Sequence, residues 1–179
     1  IRTTVLAEPN LGTPESFRER IKALNANGIA VDTVEGANEP DMFWKRLHIS
    51  WKGQGYPEGP VIWQRDLFHT FKADPATSKL AIIGPSLGLA GIASARSPES
   101  WRNLRKYSDW GNVHPYPYNA NPFGPELAYG TLRSFFHNGT FPSVTVDEAP
   151  DAFRAYQAIY GPGPYAATET GYPAGRWFT

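Results

Sequence analysis

Residues 2–34 read RTTVLAEPNLGTPESFRERIKALNANGIAVDTV, and this stretch decides the fold class. Arg2 to Ala7 is rich in β-branched residues and ends at the Glu8-Pro9-Asn10 turn. Thr13 is placed to cap a helix, Pro14 suits its first position, and Glu15 complements the positive end of the helix dipole. Phe17, Ile21 and Leu24 then fall on one face before Asn27-Gly28 stops the helix, and Ile29 to Val34 resumes as a strand. Strand, helix and strand within so short a length form a βαβ unit, which predicts a parallel sheet.

The same alternation continues downstream. Pro60 starts a helix with Trp63, Leu67 and Phe71 at fourfold spacing, closed by Ala73-Asp74-Pro75. Leu80 to Gly84 (LAIIG) has the unbroken apolar character of a strand buried on both faces. Ser97-Pro98-Glu99 begins a helix carrying Trp101 and Leu104, and Trp110 to Tyr116 is the next strand. Glu126 to Asn138 is predicted helical, Pro142 to Val146 an additional short strand, and Asp151 to Tyr160 a last helix. Gly161-Pro162-Gly163 turns the chain into a strand beginning at Tyr165. With no repeat, low-complexity tract or linker, residues 1–179 are expected to form one α/β domain.

Composition narrows the partner. Lys plus Arg and Asp plus Glu both number 17, so no net field favours nucleic acid or an anionic membrane, and a neutral polar ligand fits better. No run of about 18 apolar residues is present to span a membrane. The absence of cysteine excludes a disulfide scaffold and thiolate chemistry and leaves the compartment open. His48 and His69 form no metal-ligand pattern with Asp or Glu, so no catalytic metal is expected. Six Trp, nine Tyr and ten Phe are compatible with sugar stacking, although most aromatics serve a core.

Two predicted strands end at carboxylates. Val31 to Asp41 (VDTVEGANEPD) delivers Glu39, flanked by Asn38 and Pro40, into a loop. Pro164 to Tyr172 (PYAATETGY) delivers Glu169 just before a Gly-Tyr-Pro turn. A pair of carboxyl groups is what glycosidic cleavage requires, one to protonate the leaving oxygen and one to attack the anomeric carbon. Glu39 is then the acid/base, which needs a raised pKa, and the Asn38 amide is available to the sugar 2-hydroxyl. Glu169 is the nucleophile, which must stay ionised, helped by donors such as Tyr116 or His114 from the tip of the 110–116 strand. Glu148 is a rival nucleophile, but the Ala-Pro-Asp after it reads as a helix start. Between Met42 and Gly59 lies a predicted long loop, in which Trp44 and Trp51 are candidate sugar-stacking residues, as is Tyr118 further on.

Asn38-Glu39-Pro40, His114-Pro115-Tyr116 and Thr168-Glu169-Thr170-Gly171-Tyr172 together resemble the motifs of the clan A glycoside hydrolases. That resemblance implies a TIM-type (β/α)8 barrel, with the acid/base after the fourth strand and the nucleophile ending the seventh. It also implies retaining hydrolysis of β-glycosidic bonds in a poly- or oligosaccharide, without a cofactor. Residues 80–84 and 110–116 then correspond to the fifth and sixth strands. The implied substrate-binding residues are Asn38, His114, Tyr116, Tyr172 and Trp177, the last as an aromatic platform, with Arg2 in the place of an arginine near the nucleophile. A barrel of this type usually needs about 250 residues, so equivalents of strands one, two and eight are expected to be missing or to lie outside this stretch. The expectation is therefore an incomplete barrel, completed by a longer parent chain or by self-association, and the opening Ile1 reads as a processed or trimmed start. A glycan-binding or scaffold fragment without catalysis is the alternative function, since barrels serve many.

Overall fold

The computed structural model describes residues 3–86, 99–114 and 157–168. Within them the protein is a mixed α/β structure with short parallel strands in small sheets. Strand β1 (Thr4–Leu6) pairs in parallel with β2 (Thr33–Glu35), Thr4 opposite Thr33, and β2 pairs in parallel with β3 (Ala81–Ile83), Glu35 opposite Ile83. A second parallel pair joins β4 (Gly111–Val113) to β5 (Tyr165–Ala167), with Gly111 opposite Tyr165. A parallel bridge between Ile83 and Trp110 links the two sheets, reinforced by Gly84 N–H donating to the Trp110 carbonyl at 2.9 Å. The five strands thus follow one another in chain order, all pointing the same way. The described residues do not close a barrel.

Helix α1 (Pro14–Ala26) forms where the capping signals place it. Thr13 Oγ1 accepts from the Ser16 backbone at 3.2 Å and Ser16 Oγ accepts from the Thr13 N–H at 2.9 Å, satisfying two donors that a helix start leaves orphaned. Gly28, at φ +83°, takes the left-handed turn that ends it. The strand that follows is shorter than the apolar run suggests. Ile29 is 49% exposed and only Thr33–Glu35 enter the ladder, because pairing to β1 and β3 sets the strand's length.

The predicted loop 42–59 contains a short helix, α2 (Phe43–Arg46), and then α3 (Glu58–Ala73) begins. Trp63, Leu67 and Phe71 of α3 are fully buried against Phe17 and Ile21 of α1 and the β2–β3 face. Trp63 meets Phe17 edge-on at 6.3 Å, and its indole N–H donates to the Ala7 carbonyl at 3.1 Å. Burying a ring of that size removes about 200 Å² from water, about 5 kcal/mol as an upper figure. Trp44 is also in this core, 1% exposed, so it offers no face to a sugar. Trp51 stands edge-on to Trp63 at 4.8 Å and donates to Asp66 at 2.8 Å, which makes it a cover over the same core. Asp41, in the turn just before α2, is also buried.

Residues Glu99–Tyr107 form a 3-10 helix rather than an α-helix, with Trp101 and Leu104 buried. Residues 157–160 are helical and seat Tyr160 over the end of β3. A Cβ on Gly84 would lie 2.4 Å from the Tyr160 hydroxyl oxygen, so glycine is what lets the ring approach. The predicted helix 126–138 and strand 142–146 lie outside the described residues.

Candidate functional site

Because the strands are parallel, the residues that follow them gather at one end of the sheets. These are Glu8 after β1, Asn38 and Glu39 after β2, Ser86 after β3, His114 after β4 and Thr168 after β5. Gly36 begins the β2 exit and packs so tightly on α3 that a Cβ there would sit 2.0 Å from Gln64 Oε1.

Glu39 has a φ of +37°, a left-handed conformation that costs a non-glycine residue about 1 kcal/mol or more. Its surroundings hold it there. The Glu39 N–H donates to Ser86 Oγ at 3.1 Å, and the Glu39 carbonyl accepts from both Met42 and Phe43 at 2.9 Å. Ser86 Oγ also donates to Asn38 Oδ1 at 3.4 Å, and the Asn38 N–H donates to the Glu8 carboxyl. The backbone bearing Glu39 is therefore tied to β1 and to β3 at once.

The Glu39 carboxyl faces His114. Oε1 lies 3.0 Å from Nδ1 of the imidazole, with the His114 side chain 1% exposed and that of Glu39 15% exposed. The other ring nitrogen, Nε2, is 3.0 Å from Thr168 Oγ1. Thr168 Oγ1 in turn lies 2.8 Å from Glu35 Oε1 and 2.9 Å from Asn112 Oδ1, and Asn112 Nδ2 donates to Glu35 Oε1 at 2.8 Å. Three strand ends are thus joined by one run of hydrogen bonds, Glu39 to His114 to Thr168 to Glu35. The sequence offered His114 as a support for Glu169; its ring nitrogens are engaged with Glu39 and Thr168.

Beside this run is a mostly apolar cavity of about 230 Å³, lined by Leu6, Glu8, Asn38, Phe43, Leu47 and Ile49 among others. Glu8 is largely buried, and burial pushes its carboxyl up to about 7, with the Glu35 carboxylate adding in the same direction. Among the described residues no group of three or more His, Asp or Glu is arranged to hold a metal ion.

Of the residues singled out from the sequence, Asn38, Glu39 and His114 come together. Glu169, Tyr116, Tyr172 and Trp177 lie outside the described residues, as do Arg2, Tyr118 and Glu148. Glu8, Glu35, Ser86, Asn112 and Thr168 were not singled out as site residues. A usable signal existed for two of them, since Glu8 and Glu35 are carboxylates set directly against the apolar runs TVLA and TV. No protein-family model matches the chain, and no curated protein matches it either.

Proposed function

We propose that this protein is a retaining glycoside hydrolase of the clan A type, acting on β-glycosidic bonds of a poly- or oligosaccharide. On this reading the five parallel strands are the third to seventh of a TIM-type barrel, Glu39 is the acid/base and Glu169, next in the chain after Thr168, is the nucleophile. The observation that carries it is the Glu39 carboxyl at the carboxyl ends of parallel strands, 3.0 Å from a buried imidazole and adjacent to Asn38. A carboxyl held in this way has a fixed direction and a neighbour that can share its proton, which suits an acid that must later act as a base.

In the first step Glu169 attacks the anomeric carbon while Glu39 passes its proton to the leaving oxygen, so the C–O bond breaks as the glycosyl ester forms. In the second step Glu39 takes a proton from water, which attacks the same carbon and releases Glu169. The two carboxyl groups must then stand about 5 to 5.5 Å apart. On this reading Asn38 serves the sugar 2-hydroxyl, and His114, Tyr116, Tyr172 and Trp177 are the other substrate-binding residues.

A panel of aryl β-glycosides and β-glucan oligomers tests this, run beside Glu39→Ala and Glu169→Ala. Glu169→Ala should abolish turnover. Glu39→Ala should keep cleaving aryl glycosides with good leaving groups and lose the natural linkages, with azide restoring its rate as a glycosyl azide forms. Saccharide binding by the wild type with no hydrolysis of any substrate would identify a glycan-binding fragment instead.

A further inference from the structure

We propose that Glu35 is a positioning residue for Glu39, acting through Thr168 to fix the tautomer of His114 so that the His114–Glu39 hydrogen bond must contain a proton. Its value to catalysis rests on the hydrolase reading above; the proton placement itself does not.

The geometry leaves little choice. Thr168 Oγ1 has one hydrogen and lies within hydrogen-bond distance of two oxygens, Glu35 Oε1 at 2.8 Å and Asn112 Oδ1 at 2.9 Å. An ionised carboxylate and an amide oxygen both accept and cannot donate. Whichever takes the Thr168 hydrogen, Oγ1 has just its lone pairs left for His114 Nε2 at 3.0 Å, so Nε2 must be the donor. Were Thr168 to donate to Nε2 instead, both oxygens would face it with no hydrogen between, inside a buried site where that is costly. Turning the Asn112 amide over does not relieve the constraint, because that would set Oδ1 against the Glu35 oxygen to which Nδ2 donates at 2.8 Å.

An imidazole protonated at Nε2 and otherwise neutral presents a bare lone pair at Nδ1. Opposite that lone pair, at 3.0 Å, is Glu39 Oε1. Two lone pairs at that distance repel, so the contact requires a hydrogen, carried either by a protonated Glu39 or by an imidazolium. In both cases the pair keeps one proton beyond a neutral histidine and an ionised carboxylate, and this is the proton an acid/base residue has to deliver. Glu35 Oε1 also lies 3.8 Å from Nε2, so its charge favours the proton-bound pair directly as well as through Thr168. Glu35 stands against this pair at that distance, and its charge is in turn felt by the buried Glu8.

Nitrogen-15 NMR of the protein labelled at its four histidines tests the proposal without any substrate, because protonated and bare ring nitrogens resonate far apart. Wild-type His114 should show Nε2–H throughout the folded pH range. Thr168→Val should move the hydrogen to Nδ1, where it can donate to an ionised Glu39, and Thr168→Ser should restore the wild-type pattern. Glu35→Gln, which leaves the neighbour of Glu169 in place, should make the pair lose its extra proton at lower pH. In the active enzyme it should reduce kcat/KM above neutrality by about tenfold while sparing the acidic side of the profile. A wild-type His114 with bare Nε2, or spectra unchanged by both Thr168→Val and Glu35→Gln, would overturn the proposal. The NMR pattern without hydrolysis of any β-glycoside would uphold the relay and sink the hydrolase reading.

Discussion

Glu8 shows how a single side chain can couple the site to pH. Its carboxyl accepts the Asn38 N–H and borders the apolar cavity, and burial raises it from the ordinary carboxylate value to about 7. Folded protein therefore holds a proton on Glu8 that unfolded chain has released, over the window from about 4.5 to about 7. The slope of unfolding free energy against pH follows protons bound unfolded minus folded, which is negative there. Glu8 thus contributes stability that is fully present below the unfolded value and lost as pH rises through 7, on the order of 3 kcal/mol over the window. Glu8→Gln keeps the acceptor for Asn38 and removes the titration. Urea unfolding of both proteins at a series of pH values should show the mutant gaining on wild type steadily between pH 5 and 7; parallel curves would mean that Glu8 does not titrate there. Ser86 supports the same loop from the other side, so Ser86→Ala should release the strained Glu39 backbone and lower kcat about tenfold with little change in KM, as measured on whichever aryl glycoside is cleaved.

At the scale of elements, the two long helices α1 and α3 were legible, whereas the short α2 and the strand limits were not. Thr13-Pro14 and the 63/67/71 spacing are local signals, and α1 and α3 form around them. Thr13→Ala should accordingly cost about 1 kcal/mol in a denaturant titration. Strands of three residues each carry no such local mark, because their ends are set by ladders to partners elsewhere in the chain. The site divides in the same way. Glu39 and His114 could be read as strand-tip residues, but Glu35 is defined by Asn112 and Thr168, the latter 133 positions away, and Glu8 by Asn38, 30 positions away. Trp44 misleads for a related reason: the aromatic richness of residues 42–59 suggests a substrate-facing loop, whereas the short helix α2 carries the indole in the core. Gln64 is the element-scale counterpart of these long-range ties. Its Nε2 donates to the Ile83 and Tyr107 carbonyls at 3.2 and 3.0 Å, pinning α3 to β3 and to the 3-10 helix. Gln64→Leu preserves volume, strands the Tyr107 carbonyl and leaves the Ile83 carbonyl with the Gly36 N–H alone, so it should destabilise by about 1 kcal/mol or more, against less than about 0.5 for a surface Gln-to-Leu change.

Across the whole molecule, parallel strands in chain order explain why distant residues meet. A strand end after residue 35, another after 113 and a third after 167 lie at one edge because every strand runs the same way, and the bridge from Ile83 to Trp110 aligns the two sheets. Charge does not add to this gathering, since acidic and basic residues balance at 17 each. Binding of a neutral glycan should therefore owe little to long-range attraction. Raising the salt from about 0.05 to 0.5 M shortens the screening length several-fold, yet KM for an uncharged β-glycan should change by less than about twofold. A strong salt dependence would point to a charged substrate. If the protein is the hydrolase proposed, the stereochemistry of its product is the sharper measurement, because it reports the distance between the two carboxyl groups. If Glu169 attacks directly, the first-formed sugar keeps the β configuration, and proton NMR of the anomeric signals during the first minutes of hydrolysis should show β product before mutarotation. Initial α product would mean that water fits between the carboxyl groups, which requires a gap of about 6.5 to 9.5 Å and removes Glu169 from the role of nucleophile.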